Sequence, residues 1–158
     1  MYKALITDMS KVLLFAKNPD YTGGLNELHE ELTQKGDYDF WSYFEINQEL
    51  LDFYGKINKK LPVHIFTSKY VQEYPPLKEK LEGNFSGILS AKRMGIHKSE
   101  DSTYEELAKQ IGFQPEEILY VDDKQINVDA ARGAGLDTIK FESNEQVMSE
   151  IEIKLSET

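Results

Sequence analysis

Five short β-favouring runs, separated by stretches with helical spacing, constrain this chain more than any other feature: residues 2–7, 63–66, 87–90, 118–121 and 138–141. Strands that alternate with helices join most simply into a parallel sheet with right-handed crossovers and helices on both faces. The expected fold is an α/β, doubly wound parallel sheet with five core strands. Ile46, Leu50, Phe53, Tyr54, Ile57 and Leu61 predict one helix over 45–61, ended by Pro62. Leu77 to Leu81 read as a short helix after the Tyr74-Pro75-Pro76 break. Ser102-Thr103-Tyr104-Glu105 reads as a capping box, opening a helix with Tyr104, Leu107, Ala108 and Ile111 inward and Gly112 at its end. Ile126, Ala130, Ala131 and Ala134 predict a further helix closed by Gly135, and Val147, Met148, Ile151 and Leu155 a terminal one.

Between the first run and the first long helix the pattern lapses. Val12-Leu13-Leu14-Phe15 suits a hairpin or flap strand, its direction left open. Residues 16–43 carry the turn signals Asn18-Pro19-Asp20 and Thr22-Gly23-Gly24 around helical patches that include Leu25, Leu28 and Leu32. They read as a small, cap-like helical insertion after the first strand, inside a single domain spanning 1–158. A chain of this length buries roughly 70% of its unfolded surface, enough for a proper core.

The net charge of -10, with no Lys/Arg-rich stripe, argues against nucleic acid or an anionic membrane as the main partner. Cysteine is absent, which excludes disulfides, thiol catalysis and thiolate metal sites. Any metal must therefore use oxygen ligands, favouring a hard ion such as Mg2+. The apolar run at the N-terminus is too short for a signal peptide and no stretch is apolar enough to span a membrane, so a cytoplasmic protein is expected.

Parallel strands present all their carboxyl ends on one edge, where open α/β sheets hold their ligands. Asp8, Thr67 with Ser68, and the pair Asp122-Asp123 would share that edge, and Lys98 lies in the loop after the third strand. Taken alone, Asp122 and Asp123 fit a metal site or a solvated turn. Adjacent carboxylates stay ionised only with compensation from a cation or several donors. Together the groups suggest Mg2+ held by carboxylates and a phosphate held by the hydroxyl and ammonium, a phosphoryl-transfer constellation with Asp8 available as nucleophile.

Four motifs in order give this constellation a family. ALITDMSKVLL, HIFTS, Lys98 within GIHKSEDSTYEEL, and ILYVDDKQINVDAARGAG resemble those of the haloacid dehalogenase (HAD) superfamily of Mg2+-dependent phosphohydrolases, over nearly the whole chain apart from the insertion. The resemblance implies a Rossmann-like sheet and hydrolysis of a phosphorylated small molecule. It makes Asp8 the nucleophile that forms an aspartyl-phosphate and binds the metal, with Thr67, Ser68 and Lys98 on the phosphoryl group. Asp123 matches the main metal-binding acid, Asp122 supports the site directly or through water, and Asn127 buttresses the acidic loop. A response-regulator receiver also gathers acids and a lysine, but in the reverse order along the chain.

Two departures qualify what the family implies. Its phosphatases carry a general acid and base two residues after the nucleophile, where this chain has Ser10. A serine hydroxyl can relay a proton but not hold one, and general acid-base help is worth about 100- to 10,000-fold. The metal site needs only the backbone carbonyl there, which Ser10 supplies. Slow turnover follows, or a degenerate module that binds phosphate and metal without hydrolysis. Lys11 stands where glycine is usual, either serving the leaving group with a proton or a charge, or facing solvent. The insertion, at 28 residues, is shorter than the usual caps of this branch and suggests a small helical hairpin beside an open site. Such a site admits bulky substrates or a partner protein unless a homodimer closes it. Tyr21, Tyr38, Phe40, Trp41, Tyr43 and Phe44 line the entrance or pack the insertion onto the core. His29, His64 and His97 lack metal spacing; His64 reads as packed within a strand and His97 as a surface-loop residue.

Overall fold

Both faces of every central strand are apolar, and this doubles the layers of the fold. The computed structural model describes residues 1–157. Its first half runs β1 (Ala4–Thr7), β2 (Leu14–Ala16), α1 (Leu25–Gln34), β3 (Phe44–Ile46), α2 (Gln48–Ile57) and β4 (Val63–Thr67). The second half runs α3 (Pro75–Leu81), β5 (Gly87–Ser90), α4 (Ala91–Met94), α5 (Asp101–Ile111), β6 (Ile118–Asp122), α6 (Gln125–Gly133), β7 (Asp137–Lys140) and α7 (Asn144–Ser156). Successive strand residues point to opposite faces. Leu5, Ile65, Leu119 and Val121 accordingly share one core with Leu50 and Tyr54 of α2 and Val147 and Ile151 of α7. Ile6, Phe66, Ile118 and Tyr120 share the other with Tyr104 and Leu107 of α5 and Ala130 and Ala131 of α6. Each large side chain buried this way contributes roughly 1.5–3 kcal/mol.

The five-stranded sheet has the order β5-β4-β1-β6-β7, and every pair is parallel, as the alternating pattern predicts. From β1 the chain steps outward to β4 and β5, then crosses back to lay β6 and β7 on the other side. Such a reversal opens a crevice at the carboxyl edge. Thr7 is level with Ile65 on one side and Val121 on the other, so the next residues, Asp8, Phe66 and Asp122, meet at that edge. No helix among the described residues is long and apolar enough to cross a membrane.

Several local expectations are corrected. Residues 45–61 are not one helix: β3 pairs antiparallel with β2, and α2 begins only after Asn47. Asn47 decides the boundary, because its side chain accepts from Leu50 N at 3.3 Å while its own N–H donates to Leu13 O at 2.7 Å. The capping box at Ser102 does not form. There α5 starts at Asp101, and the Thr103 hydroxyl donates to the His97 carbonyl instead. Ile126, expected inward, is 60% exposed, because α6 turns Asn127, Val128, Ala130 and Ala131 to the core. Residues 16–43 hold one helix, α1, and a single 3-10 turn at Phe40–Ser42, not a helical hairpin.

The turn from β1 into β2 is wound tightly around Met9, whose carbonyl accepts from Val12, Leu13 and Leu14 at 2.9–3.3 Å. Lys11 donates its N–H to Leu14 O at 2.7 Å and adopts φ +62°, the one non-glycine among the described residues in the left-handed region. For an L-residue that conformation costs roughly 1–2 kcal/mol. Glycine would take it freely.

Candidate active site

Lys98 is the hub of the carboxyl edge. Its Nζ donates to Asp8 Oδ1 at 2.8 Å and to the Phe66 carbonyl at 3.1 Å, and lies 2.9 Å from Asp122 Oδ2. Its own carbonyl accepts from the Tyr104 hydroxyl at 2.7 Å, which holds the loop down onto α5. All three charged side chains are buried. Burial alone would depress the ammonium, but Asp8 and Asp122 outweigh it and hold Lys98 above its ordinary value.

Asp122 is fully surrounded by donors. Oδ1 accepts from Lys124 N at 2.9 Å, and Oδ2 from the Tyr120 hydroxyl at 2.5 Å and Asn127 Nδ2 at 3.1 Å, besides Lys98. Burial works to raise its pKa, yet Lys98, Tyr120 and the Lys124 amide bring it below the usual carboxylate range. Asn127 reaches the loop from α6 through its bond to Asp122. Sequence reasoning passed over Tyr120, although it precedes Asp122 by two residues on one strand and so shares its face. Tyr104, expected as plain core, also joins in, its hydroxyl 3.3 Å from that of Tyr120.

Asp8 and Asp123 are less well compensated. Asp8 Oδ1 accepts from Met9 N at 2.7 Å and from Lys98. Burial lifts the Asp8 carboxyl above its ordinary value; Lys98 opposes the rise, and Asp122 and Asp123 add to it. Asp123 is raised by burial and by its neighbour Asp122, and its Oδ1 is buried with no donor on it. Oxygens of Asp8, Asp122 and Asp123 lie within 4.8 Å of one another. Three converging carboxylates, two of them raised and one with an orphaned oxygen, form a site short of positive charge. With no cysteine in the chain, this oxygen donor set fits a hard divalent cation.

Over the acids lies a cavity of about 130 Å³, bordered by Asp8, Ser10, Ser68, Lys98 and Asn127 and, from above, by Gly24 to Glu27. The open site expected from a short insertion is corrected here. The amino end of α1 folds over the crevice, latched by Asn26 Oδ1, which accepts from Tyr70 N at 3.2 Å and Val71 N at 3.1 Å. Lys69 adds ion pairs to Glu27 at 2.9 Å and Glu30 at 3.4 Å. None of Asn26, Glu27 and Lys69 was legible as a site residue. Their pairing joins elements more than 40 residues apart. Of the two expected hydroxyls, Ser68 borders the cavity, whereas Thr67 is fully buried beneath it with Oγ1 unpartnered.

The aromatic stretch packs instead of lining this cavity. Phe40 and Phe44 stack in the core at 4.5 Å, and Tyr38 stacks on Tyr74 at 5.4 Å while bonding His29 Nδ1 at 2.7 Å. Tyr21 faces a second, wider groove of about 990 Å³ that also reaches Leu25 at the start of α1. His64 is half-buried in β4 with its pKa lowered by burial, and neither it nor His97 borders the small cavity.

Among solved structures, the fold is similar to that of a HAD family enzyme from Bacteroides thetaiotaomicron, crystallised with magnesium and inorganic phosphate, at a TM-score of 0.69. It shares 16% identity over 91% of this chain and 96% of that one, a likeness of fold. Among curated proteins, enolase-phosphatase E1 of Aquifex aeolicus is 32% identical over 102 residues, covering 56% of this chain and 43% of that protein. The Caenorhabditis elegans enolase-phosphatase E1 is 31% identical over 115 residues, covering 69% of this chain and 44% of that protein. The chain thus spans less than half the length of the curated relatives it matches. The family described as haloacid dehalogenase-like hydrolase matches residues 57–141, from the end of α2 through the acid pair to the residue after β7. With the ordered motifs and the five-stranded sheet, this match places the chain in the haloacid dehalogenase-like hydrolase family.

Proposed function

We propose that this chain hydrolyses a small phosphomonoester with the help of Mg2+, through an aspartyl-phosphate on Asp8, and that it does so slowly. The observation that carries the reading is the convergence of Asp8, Asp122 and Asp123 within 4.8 Å, with Lys98 2.8 Å from Asp8. Relatives that are enolase-phosphatases, and a structural neighbour holding magnesium and phosphate, support the same class of chemistry.

Asp8, Asp123 and the Ser10 carbonyl, with Asp122 behind them, would hold the ion. When bound, it would supply positive charge to the phosphoryl oxygens. Lys98 and Ser68 orient the phosphoryl group, Thr67 supports the loop from below, and α1 keeps bulk water out. The Asp8 carboxylate attacks phosphorus, the P–O ester bond breaks, and the alcohol leaves as an alkoxide that takes its proton from a water molecule, whose remaining hydroxide serves the second step. Ser10 cannot hold that proton for it. That hydroxide then attacks the phosphorus of the aspartyl-phosphate, the acyl P–O bond breaks, and inorganic phosphate and the Asp8 carboxylate are released. The same Ser10 favours a second reading, a degenerate site that binds phosphate and metal without turnover.

An ester panel assayed with Mg2+, in wild type, Asp8→Asn and Ser10→Asp, separates these. Phosphate release that vanishes in Asp8→Asn supports the mechanism, and release that survives it rules the mechanism out. Hydrolysis present only in Ser10→Asp supports the degenerate reading. Ser10→Asp is expected to gain about 100- to 10,000-fold if it restores general acid-base help.

A further inference from the structure

Two spaces meet at Lys11. With Leu25 of α1 it borders both the small cavity above Asp8 and the wide groove beside α1, so it stands on the boundary between the phosphoryl pocket and a larger space that adjoins it at the flap turn. Resting on the phosphohydrolase reading, we propose that Lys11 selects the leaving group. Its ammonium binds a carboxylate on the alcohol part of the substrate, one or two carbons from the ester oxygen.

Three observations carry this. First, Lys11 holds φ +62° with its N–H bonded to Leu14 O at 2.7 Å, so the tight turn maintains a side chain where backbone geometry favours none. Second, no carboxylate lies within ion-pair distance of its ammonium among the described residues, although the chain has 28 acids against 18 bases. Of the four lysines on the small cavity, Lys69 and Lys98 are spent on carboxylates and Lys124 does not reach the groove, which leaves Lys11 the uncommitted cation shared by both spaces among the described residues. Third, the groove's other polar lining restricts where an anion can sit. Glu45, Glu49 and Glu142 occupy its wall away from the small cavity. Lys124 borders only the small cavity, so a second anion that reaches toward the groove is met by Lys11, next to the ester, and one with a single charge meets less repulsion from those glutamates than a second phosphoryl group would.

The matched esters 2-phosphoglycerate and glycerol 2-phosphate test this, since they differ by a carboxylate in place of a hydroxymethyl group. Both are offered with Mg2+ to wild type, Lys11→Met, Lys11→Arg and Lys11→Gly. The readout is kcat/KM where phosphate is released, and a calorimetric Kd where it is not. Wild type is expected to prefer 2-phosphoglycerate by roughly 10- to 100-fold, the range of one charge-assisted contact. The preference collapses toward one in Lys11→Met and in the unstrained Lys11→Gly, and largely survives in Lys11→Arg, which keeps the charge but cannot donate its proton. Equal handling by wild type overturns the proposal, as does a preference that persists in Lys11→Met. A preference lost in Lys11→Arg as fully as in Lys11→Met also overturns it, in favour of proton donation. If neither ester binds or turns over, the phosphate site itself is refuted and this inference with it. Binding of both esters without discrimination overturns the Lys11 assignment alone.

Discussion

The Tyr120 hydroxyl lies 2.5 Å from Asp122 Oδ2, so one strand carries both a site acid and the group that anchors it. With Tyr104 behind Tyr120 and Lys98 beside Asp122, the acid loop rests on a buried polar network. In a buried setting each donor matters, because an acceptor left short of donors cannot turn to water. Tyr120→Phe keeps the ring and its edge contact with Tyr104, whose centroid is 5.0 Å away, and removes only the hydroxyl. Stability is expected to fall by about 1.5–3 kcal/mol, read from urea unfolding. An unchanged midpoint would mean that the anchor carries no weight.

A metal bound by these acids would be coupled to pH through Asp8 and Asp123. Both carboxyls are raised in the folded chain, chiefly by burial, so the fold binds their protons more tightly than the unfolded chain does. Their contribution to stability is present at low pH and is lost as pH rises from about 4, the ordinary carboxylate value, through the raised folded values. Asp122 runs the other way, being depressed, and loses its contribution as pH falls below that same region. A divalent cation on the ionised acids offsets the loss at higher pH. The rise in Tm on adding Mg2+ is therefore expected to be larger at pH 7.5 than at pH 5, and equal rises at both would contradict the metal assignment.

Backbone strain at Lys11 is separable from its charge. Lys11→Gly relieves roughly 1–2 kcal/mol of left-handed strain but gives back about 0.5–1 kcal/mol through the greater freedom of the unfolded chain. A net gain of up to about 1.5 kcal/mol is expected in urea unfolding. Lys11→Ala, which retains φ +62° and a Cβ, is expected to gain nothing.

The latch of α1 can be cut at one side chain. Asn26→Leu retains bulk but strips the acceptor from Tyr70 N and Val71 N. An unpartnered buried amide costs about 1–3 kcal/mol. Faster amide hydrogen exchange in residues 24–34 and at 70–71 is the expected signature, with hydrolysis of bulky esters gaining relative to small ones. Exchange unchanged from wild type would show that the lid is held by other contacts.

Local chemistry reached a long way into this structure. Strand positions, the helix ends at Gly112 and Gly135, and the gathering of Asp8, Lys98, Asp122 and Asp123 follow from apolar period, glycine geometry and the rule that parallel strands share a carboxyl edge. The misreadings cluster where two local signals compete. Ile46 fits the helical spacing of α2, but Asn47 is a better cap than a helix interior, and Phe44–Ile46 find a partner in Leu14–Ala16. Helical spacing, blind to partners, could not register that pairing.

What the sequence by itself determined is the sheet, its doubly covered core and the set of charged groups at its edge, because burial pattern and strand polarity act through neighbours a few residues apart. Tertiary structure alone decided how those groups are shared out. Lys98 is divided between Asp8 and Asp122, Tyr120 is committed to Asp122, and Asp123 keeps an oxygen without a donor. It also decided that a short insertion covers the site, through Asn26 bonds that span 44 and 45 residues, and that Lys11 stands between two spaces. Hydrogen bonds and ion pairs have directions and lengths that only the folded chain sets, and the competition among Asp8, Asp122 and Asp123 for one ammonium is settled in three dimensions.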